Sequence, residues 1–268
     1  IGVGVIDVVI TNLSANIIIK KTMRIEDERD DYDLVFRKLV NLINEVIQTS
    51  KIDKEKILGV GVALHGIVDA RTGISIHALY YGWKNINIKE KLEEELGLTV
   101  YVDNDVRAMA LGESWFGATK DIANFVTLNI SNGIGAGIII NNTPYYGVNF
   151  SAGEIGHIVV EADGDKCNCG NYGCLETVAS NNNIIRKAIK LIKQGVNSSL
   201  SKDIDDINNL SIEDICKAAS DGDELSITIL KEAARYIGIA ITNLINILNP
   251  TAIVVVGEIF ENTTHTIE

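Results

Sequence analysis

Long apolar runs are missing from this chain: none reaches the length of a membrane span. Positive charge is scarce, with 24 Lys and Arg against 36 Asp and Glu and a net charge of −12. The chain alone therefore offers no broad surface for nucleic acid, although an acidic chain can still be the sensing part of a DNA-binding protein. No low-complexity segment and no secretory segment is visible. Cysteine is rare and uneven, since three of the four fall between positions 167 and 174. That pattern fits a reducing cytoplasm better than a disulfide scaffold. The 268 residues are 46% hydrophobic, ample for a buried core in one large or two medium domains. The first residue is Ile1, already inside an apolar run, and Glu268 follows soon after a strand-like segment. The chain reads as a piece of a longer protein.

Residue spacing divides the sequence in two. Val5–Ile10 and Ile17–Met23 predict a hairpin across Asn12-Leu13-Ser14-Ala15-Asn16. Val35, Leu39, Leu42, Ile43, Val46 and Ile47 recur at helical spacing within 31–50. The apolar run 57–64 predicts a buried strand, 88–96 a helix closed by Gly97, and 99–102 a strand. Asp103-Asn104-Asp105 then leads into a helix reaching Trp115. The pattern restarts with a hairpin of 125–130 and 136–140 around Ser131-Asn132-Gly133-Ile134-Gly135. Helices follow at 182–193, 211–219 and 224–248, and a last buried strand at 252–256. Residues 197–209 are polar and predict a surface loop. Two α/β halves, 1–120 and 121–268, suggest an internal duplication with its boundary near Thr119 to Asn124. A cleft between such halves is the expected ligand site.

Chemistry concentrates in Gly153-Glu154-Ile155-Gly156-His157 and in the run from Cys167 to Glu176. One imidazole (His157) and three thiols (Cys167, Cys169, Cys174) form a soft donor set suited to a closed, structural zinc site. The alternative is a disulfide, or inert cysteines in a loop. Gly170 and Gly173 permit the tight turns that would bring the sulfurs together. Glu154 and His157, three apart, face the same way on a helix or tight turn. Asn104 and Asp105 stand where a strand meets a helix, and taken alone they read most simply as a helix cap. An Asn amide, an imidazole and the carboxylates of Asp105, Glu154 and Glu176 also suit a polyhydroxylated ligand, whose hydroxyls donate and accept.

These segments, with Gly59 to Asp69, Gly82-Trp83 and the run from Val102 to Glu113, resemble the ROK family of repressors, open reading frames and kinases. The likeness spans nearly the whole chain, and Glu-x-Gly-His followed by Cys-x-Cys-Gly-x-x-Gly-Cys-x-Glu is specific to it. It implies an actin-like, ribonuclease-H-like fold of two α/β halves with a monosaccharide in the interdomain cleft. Gly66, Asn104, Asp105, Glu154, His157 and Glu176 match the sugar-contacting positions. His157, Cys167, Cys169 and Cys174 match the zinc ligands. The resemblance further implies that His157 binds zinc through one ring nitrogen and presents the other to the sugar. His65 departs from the family's kinases, which usually have Pro there.

The kinases of the family show Asp-x-Gly-Gly-Thr in the first hairpin, Gly-Thr-Gly in the second and Gly-Gly near the end. Here the matching stretches read Ile1-Gly2-Val3-Gly4, Ser131-Asn132-Gly133 and Gly257-Glu258. Val3 brings a β-branched Cβ to a phosphate turn, and Glu258 adds negative charge near a triphosphate. Damaged nucleotide loops beside a complete sugar set imply the sensing domain of a transcriptional repressor. The Asp103–Ala110 run looks most like the xylose-responsive repressors. The resemblance also implies a dimer and a DNA-binding helix-turn-helix upstream of Ile1. The alternative is an ATP- and Mg²⁺-dependent sugar kinase with divergent phosphate loops, in which Asp105 is the catalytic base. A third reading is a scaffold without either activity.

Overall fold

The structure, a computed structural model, describes residues 1–2, 4–25, 31–203 and 207–262. Val3 of the expected phosphate turn lies outside the described residues. The chain forms two compact units, Ile1–Asp121 with Asn142–Ala152, and Ile122–Asn141 with Gly153–Glu268. The segment after the second hairpin thus belongs with the first unit, and the chain changes unit after Asp121, Asn141 and Ala152.

In the first unit, β1 (Val5–Thr11) and β2 (Ile17–Arg24) pair antiparallel. The Asn12 side-chain oxygen accepts from Ser14 and Asn16 N–H, each at 3.0 Å, which fixes the turn between them. Helix α1 (Tyr32–Ser50) starts where the Asp31 carboxylate caps Leu34 N–H, and of the stripe read from the sequence it buries Val35, Leu39, Leu42, Ile43 and Val46, with Ile47 partly buried. Strand β3 (Val60–Leu64) starts later than expected because Lys54–Lys56 forms a 3-10 turn.

Three short strands, β4 (Ile67–Asp69), β5 (Ile74–Ala78) and β6 (Trp83–Asn87), build an antiparallel sheet that the sequence reading passed over. Strands of three to five residues leave almost no alternation to read. Helix α2 (Ile88–Leu96) ends on left-handed Gly97, as spacing predicts. Strand β7 (Val100–Asn104) pairs parallel with β3 and sets Asn104 opposite Leu64, so helix α3 (Asp105–Phe116) begins beside the Gly66 turn. The unit's core joins Ile6, Val35, Leu39, Leu64, Val68, Tyr81, Trp83 and Leu92.

In the second unit, β8 (Phe125–Ile130) and β9 (Ile134–Ile140) pair antiparallel. The helices are α4 (Leu175–Ala179), α5 (Asn181–Lys193), α6 (Leu200–Asp203), α7 (Ile212–Ser220) and α8 (Glu224–Leu248). Strand β10 (Ala252–Val256) pairs parallel with β8, and α9 (Glu258–Asn262) follows. Every side chain of β8 is buried or nearly so, as a strand covered on both faces requires.

The polar stretch 197–209 is not a plain surface loop. It holds α6 and a 3-10 turn at Ile207–Asn209, and Ser198 and Leu200 are buried. Ser198 Oγ accepts from Leu200 N–H at 3.2 Å, and Ser199 N–H donates at 2.7 Å to the carboxylate of Asp223, the cap of α8. Among the described residues no helix is long and apolar enough to cross a membrane.

Candidate functional site

In the second unit His157 closes a 3-10 turn, Ile155–His157, that is pinned to β9 through Ala136 N–H donating to Gly153 O at 2.7 Å. Cys167 and Cys169 lie in a turn closed by Cys167 N–H to Asn171 O at 2.8 Å and Gly170 N–H to Cys167 O at 3.0 Å. Cys174 caps α4, whose first residue Leu175 donates to Ile158 O at 2.9 Å. The four ligand atoms of His157, Cys167, Cys169 and Cys174 all lie within 4.8 Å of one another. Buried Cys216 sits in α7, outside the cluster.

These distances fit zinc. Bond lengths of about 2.3 Å to sulfur and about 2.05 Å to nitrogen give tetrahedral edges of about 3.8 Å (S···S) and about 3.6 Å (S···N). The Cys169 and Cys174 sulfurs are 3.7 Å apart, and Cys167 Sγ is 3.6 Å from His157 Nδ1. No disulfide joins the four cysteines in the structure. Burial, and then contact with Cys169 and Cys167, pushes the Cys174 thiol up to about 12. Burial also raises Cys167, whereas the Asn171 N–H and the neighbouring thiols overcome burial at Cys169 and lower it. The cluster can hold a zinc ion, whose binding would require the thiols to give up their protons.

With Nδ1 turned to the sulfurs, His157 Nε2 faces Glu154 Oε2 at 3.8 Å. Glu176, in the first turn of α4, accepts from Ile134 N–H at 3.3 Å. The Ile134 carbonyl in turn packs against Gly156. The structure thereby gathers Glu154, His157 and Glu176 around one end of β9.

In the first unit Asn104 is both cap and positioning group. Its Oδ1 accepts from Val106 N–H at 3.0 Å and Arg107 N–H at 3.1 Å, and its Nδ2 donates to Gly66 O and to Asp105 Oδ1, both at 3.0 Å. Two acceptor and two donor sites are thereby filled, so a ligand reaches this amide only by displacing a partner. Asp105 Oδ1 also accepts from Val106 N–H at 2.9 Å. Gly66 adopts φ +95°, and a Cβ there would stand 2.3 Å from His77 O, so only glycine fits. His65, in place of the kinases' Pro, accepts from Tyr80 N–H at 3.2 Å through Nε2, and burial lowers its pKa.

The sequence reading missed Arg107. It is 3% exposed and bonds Asp103 Oδ1, Phe150 O and Val68 O. The signal available was an acid and a base four apart across a helix start. At the other expected nucleotide stretches, Asn181 at the head of α5 donates its N–H to Ser131 O at 2.8 Å and its amide to the Glu258 carboxylate. Gly257 packs so close to Ile130 O that a Cβ would stand 1.9 Å from it.

The ROK family model matches residues 1–266. The chain belongs to the ROK family. A glucokinase of Halalkalibacterium halodurans is 38% identical over 232 residues, covering 86% of this chain and 70% of that protein. The DNA-binding transcriptional dual regulator NagC of Escherichia coli K12 is 38% identical over 223 residues, covering 83% of this chain and 54% of NagC. A xylose repressor of Bacillus subtilis is 30% identical over 262 residues, 98% of this chain and 64% of the repressor. Among solved structures, a ROK family transcriptional regulator, a homolog of the E. coli MLC protein, superposes with a TM-score of 0.88 at 35% identity, covering 99% of this chain and 66% of that one. The fold is thus that of the ROK proteins, the actin-like α/β class expected from the sequence. The chain spans roughly half to two thirds of its repressor relatives, and identity alone ranks kinase and repressor equally.

Proposed function

We propose that this ROK chain is the sugar-sensing region of a transcriptional repressor, holding a monosaccharide and one structural zinc. The observation that carries the reading is an asymmetry. The groups suited to sugar hydroxyls and to the metal are present, while the stretches matching the kinases' nucleotide loops are altered. Glu258 places a carboxylate on Asn181 beside the Ser131 turn. Like charge there opposes a polyphosphate. NagC and the xylose repressor are relatives of that kind.

The residues proposed to read sugar hydroxyls are Gly66, Asn104 and Asp105 in the first unit, and Glu154, His157 and Glu176 in the second. Each carboxylate accepts from hydroxyls, and its charge strengthens the bond. Zinc held by His157 Nδ1 and the three thiolates would fix the imidazole tautomer and leave Nε2–H as a donor, without taking part in bond making. Sugar preference for one conformational state would then bias a DNA-binding segment of a longer protein, which we propose is a cytoplasmic homodimer.

The test is calorimetry with xylose, glucose and N-acetylglucosamine on the wild-type chain and on Glu154→Ala. One sugar should bind, and the variant should bind it about tenfold or more weakly, the cost of leaving a hydroxyl unpaired being about 1–3 kcal/mol. Binding indifferent to Glu154→Ala refutes the site. The second reading, a sugar kinase, is favoured by the glucokinase relative and by retained Asp105. ADP release with ATP and Mg²⁺ at about 1 per second or faster establishes it.

A further inference from the structure

Arg107 is a buried charged side chain of the first unit. Its guanidinium donates to Asp103 Oδ1 at 2.7 Å, to Phe150 O at 2.9 Å and to Val68 O at 2.8 Å. The Tyr146 ring covers it at 5.1 Å, and the Tyr146 hydroxyl stands 3.5 Å from the second Asp103 oxygen. A guanidinium stripped of water is tolerated only with its donors satisfied, and here the planar fork reaches three acceptors at once. Those acceptors come from three separate stretches: the end of strand β7, strand β4, and the segment that returns to the first unit at Asn142–Ala152.

Each stretch leads to a residue of the proposed sugar set. Asp103 Oδ1 also accepts from Asn104 N–H at 2.7 Å, and the Asn104 amide holds Gly66 O and Asp105 Oδ1. Val68 lies two residues after Gly66 on the edge of the same turn. Phe150 adopts φ +58°, a left-handed conformation unfavourable for an aromatic residue, with the Arg71 guanidinium 4.6 Å over its ring. Only three residues separate Phe150 from Glu154.

We propose that Arg107 is the positioning residue of the sugar site. It fixes the Asp103-Asn104-Asp105 turn, the Gly66 carbonyl and the Tyr146–Phe150 segment as one preformed surface. It acts through Asp103 and does not itself touch the ligand. The inference rests on the sugar-sensing reading. Lysine cannot replace this arginine, because an ammonium on a flexible stem cannot hold three acceptors in one plane.

The experiment compares the wild-type chain, Arg107→Lys, Asp105→Asn and the double variant. Readouts are sugar affinity by calorimetry, zinc content, melting, and hydrogen exchange of peptides covering 103–107 and 146–152. Arg107→Lys should keep one zinc per chain and melt cooperatively. It should bind sugar at least tenfold more weakly and exchange faster in both peptides. The double variant should be no more than about threefold weaker than the weaker single variant, because both changes break one chain of contacts. Losses that multiply, or an Arg107→Lys affinity within twofold of wild type, overturn the proposal and leave the sugar reading standing. A wild-type chain that binds no sugar removes both. Should Arg107→Lys fail to fold, Tyr146→Phe removes only the hydroxyl on Asp103. Sugar binding weakened two- to fivefold supports the proposal, and unchanged binding refutes it.

Discussion

Replacing Gly173 with alanine should disable the metal cluster, whereas the same change at Gly170 should hardly disturb it. Both glycines are left-handed, with φ +66° and φ +94°, so each alanine carries a conformational penalty of about 1–2 kcal/mol. Their surroundings differ. A Cβ at Gly173 would lie 1.6 Å from Glu161 O, a backbone atom, while a Cβ at Gly170 meets nothing within 4 Å. The Gly173 backbone cannot drift freely. Its N–H donates to Asp165 O at 2.9 Å, and its carbonyl accepts from Val160 N–H at 2.9 Å and Glu161 N–H at 3.2 Å. Breaking these three bonds to relieve the clash costs about 1 kcal/mol each.

The two variants should thus differ by roughly 3 kcal/mol. Cys174 follows Gly173 directly, so letting go of the metal relieves the strain. That difference corresponds to about 100-fold in apparent zinc affinity. Competition with a chromophoric chelator measures it, with metal analysis of the purified proteins alongside. Equal zinc loss from Gly173→Ala and Gly170→Ala, within threefold, would refute the reasoning.

Purified wild-type chain should carry one zinc, retained in Cys216→Ser and lost in Cys169→Ser, because Cys216 lies in α7 outside the cluster; metal analysis decides this. Zinc affinity should fall by at least about tenfold per pH unit on acidification, since protons compete for the thiolates; chelator competition at two pH values checks it, and a flat profile points to other ligands. Asp223→Ala should lower stability by about 1 kcal/mol or more in denaturant melts, through loss of the α8 cap. Hydrogen bonds from Ser226 and Ser199 outweigh burial and hold the Asp223 carboxyl below its ordinary 3.8. Its contribution is therefore fully present above that value and disappears as pH falls through the depressed one, so wild type and variant should converge in acid.

Local rules alone placed α2, β8, α8 and β10. Asn87 and Gly97 bracket α2, and a 25-residue amphipathic pattern between Asp223 and Asn249 leaves α8 little choice. The candidate metal ligands were legible for a chemical reason, as few other roles bring one imidazole and three thiols into so short a stretch. What the sequence could not determine depends on partners far along the chain. Strands β4 to β6 are too short to show a period and exist because they pair. Nothing local announces that Asn142–Ala152 rejoins the first unit, or that Phe150 O closes over Arg107. Spacing marked Asn104 as cap or ligand group, but only the packing of β4 against β7 brought Gly66 O within reach and filled its last donor site. His157 could have met the sulfurs through either nitrogen, and the turn pinned to β9 chose Nδ1. Hydrogen bonds and burial act through space, so their outcome is written in the tertiary fold.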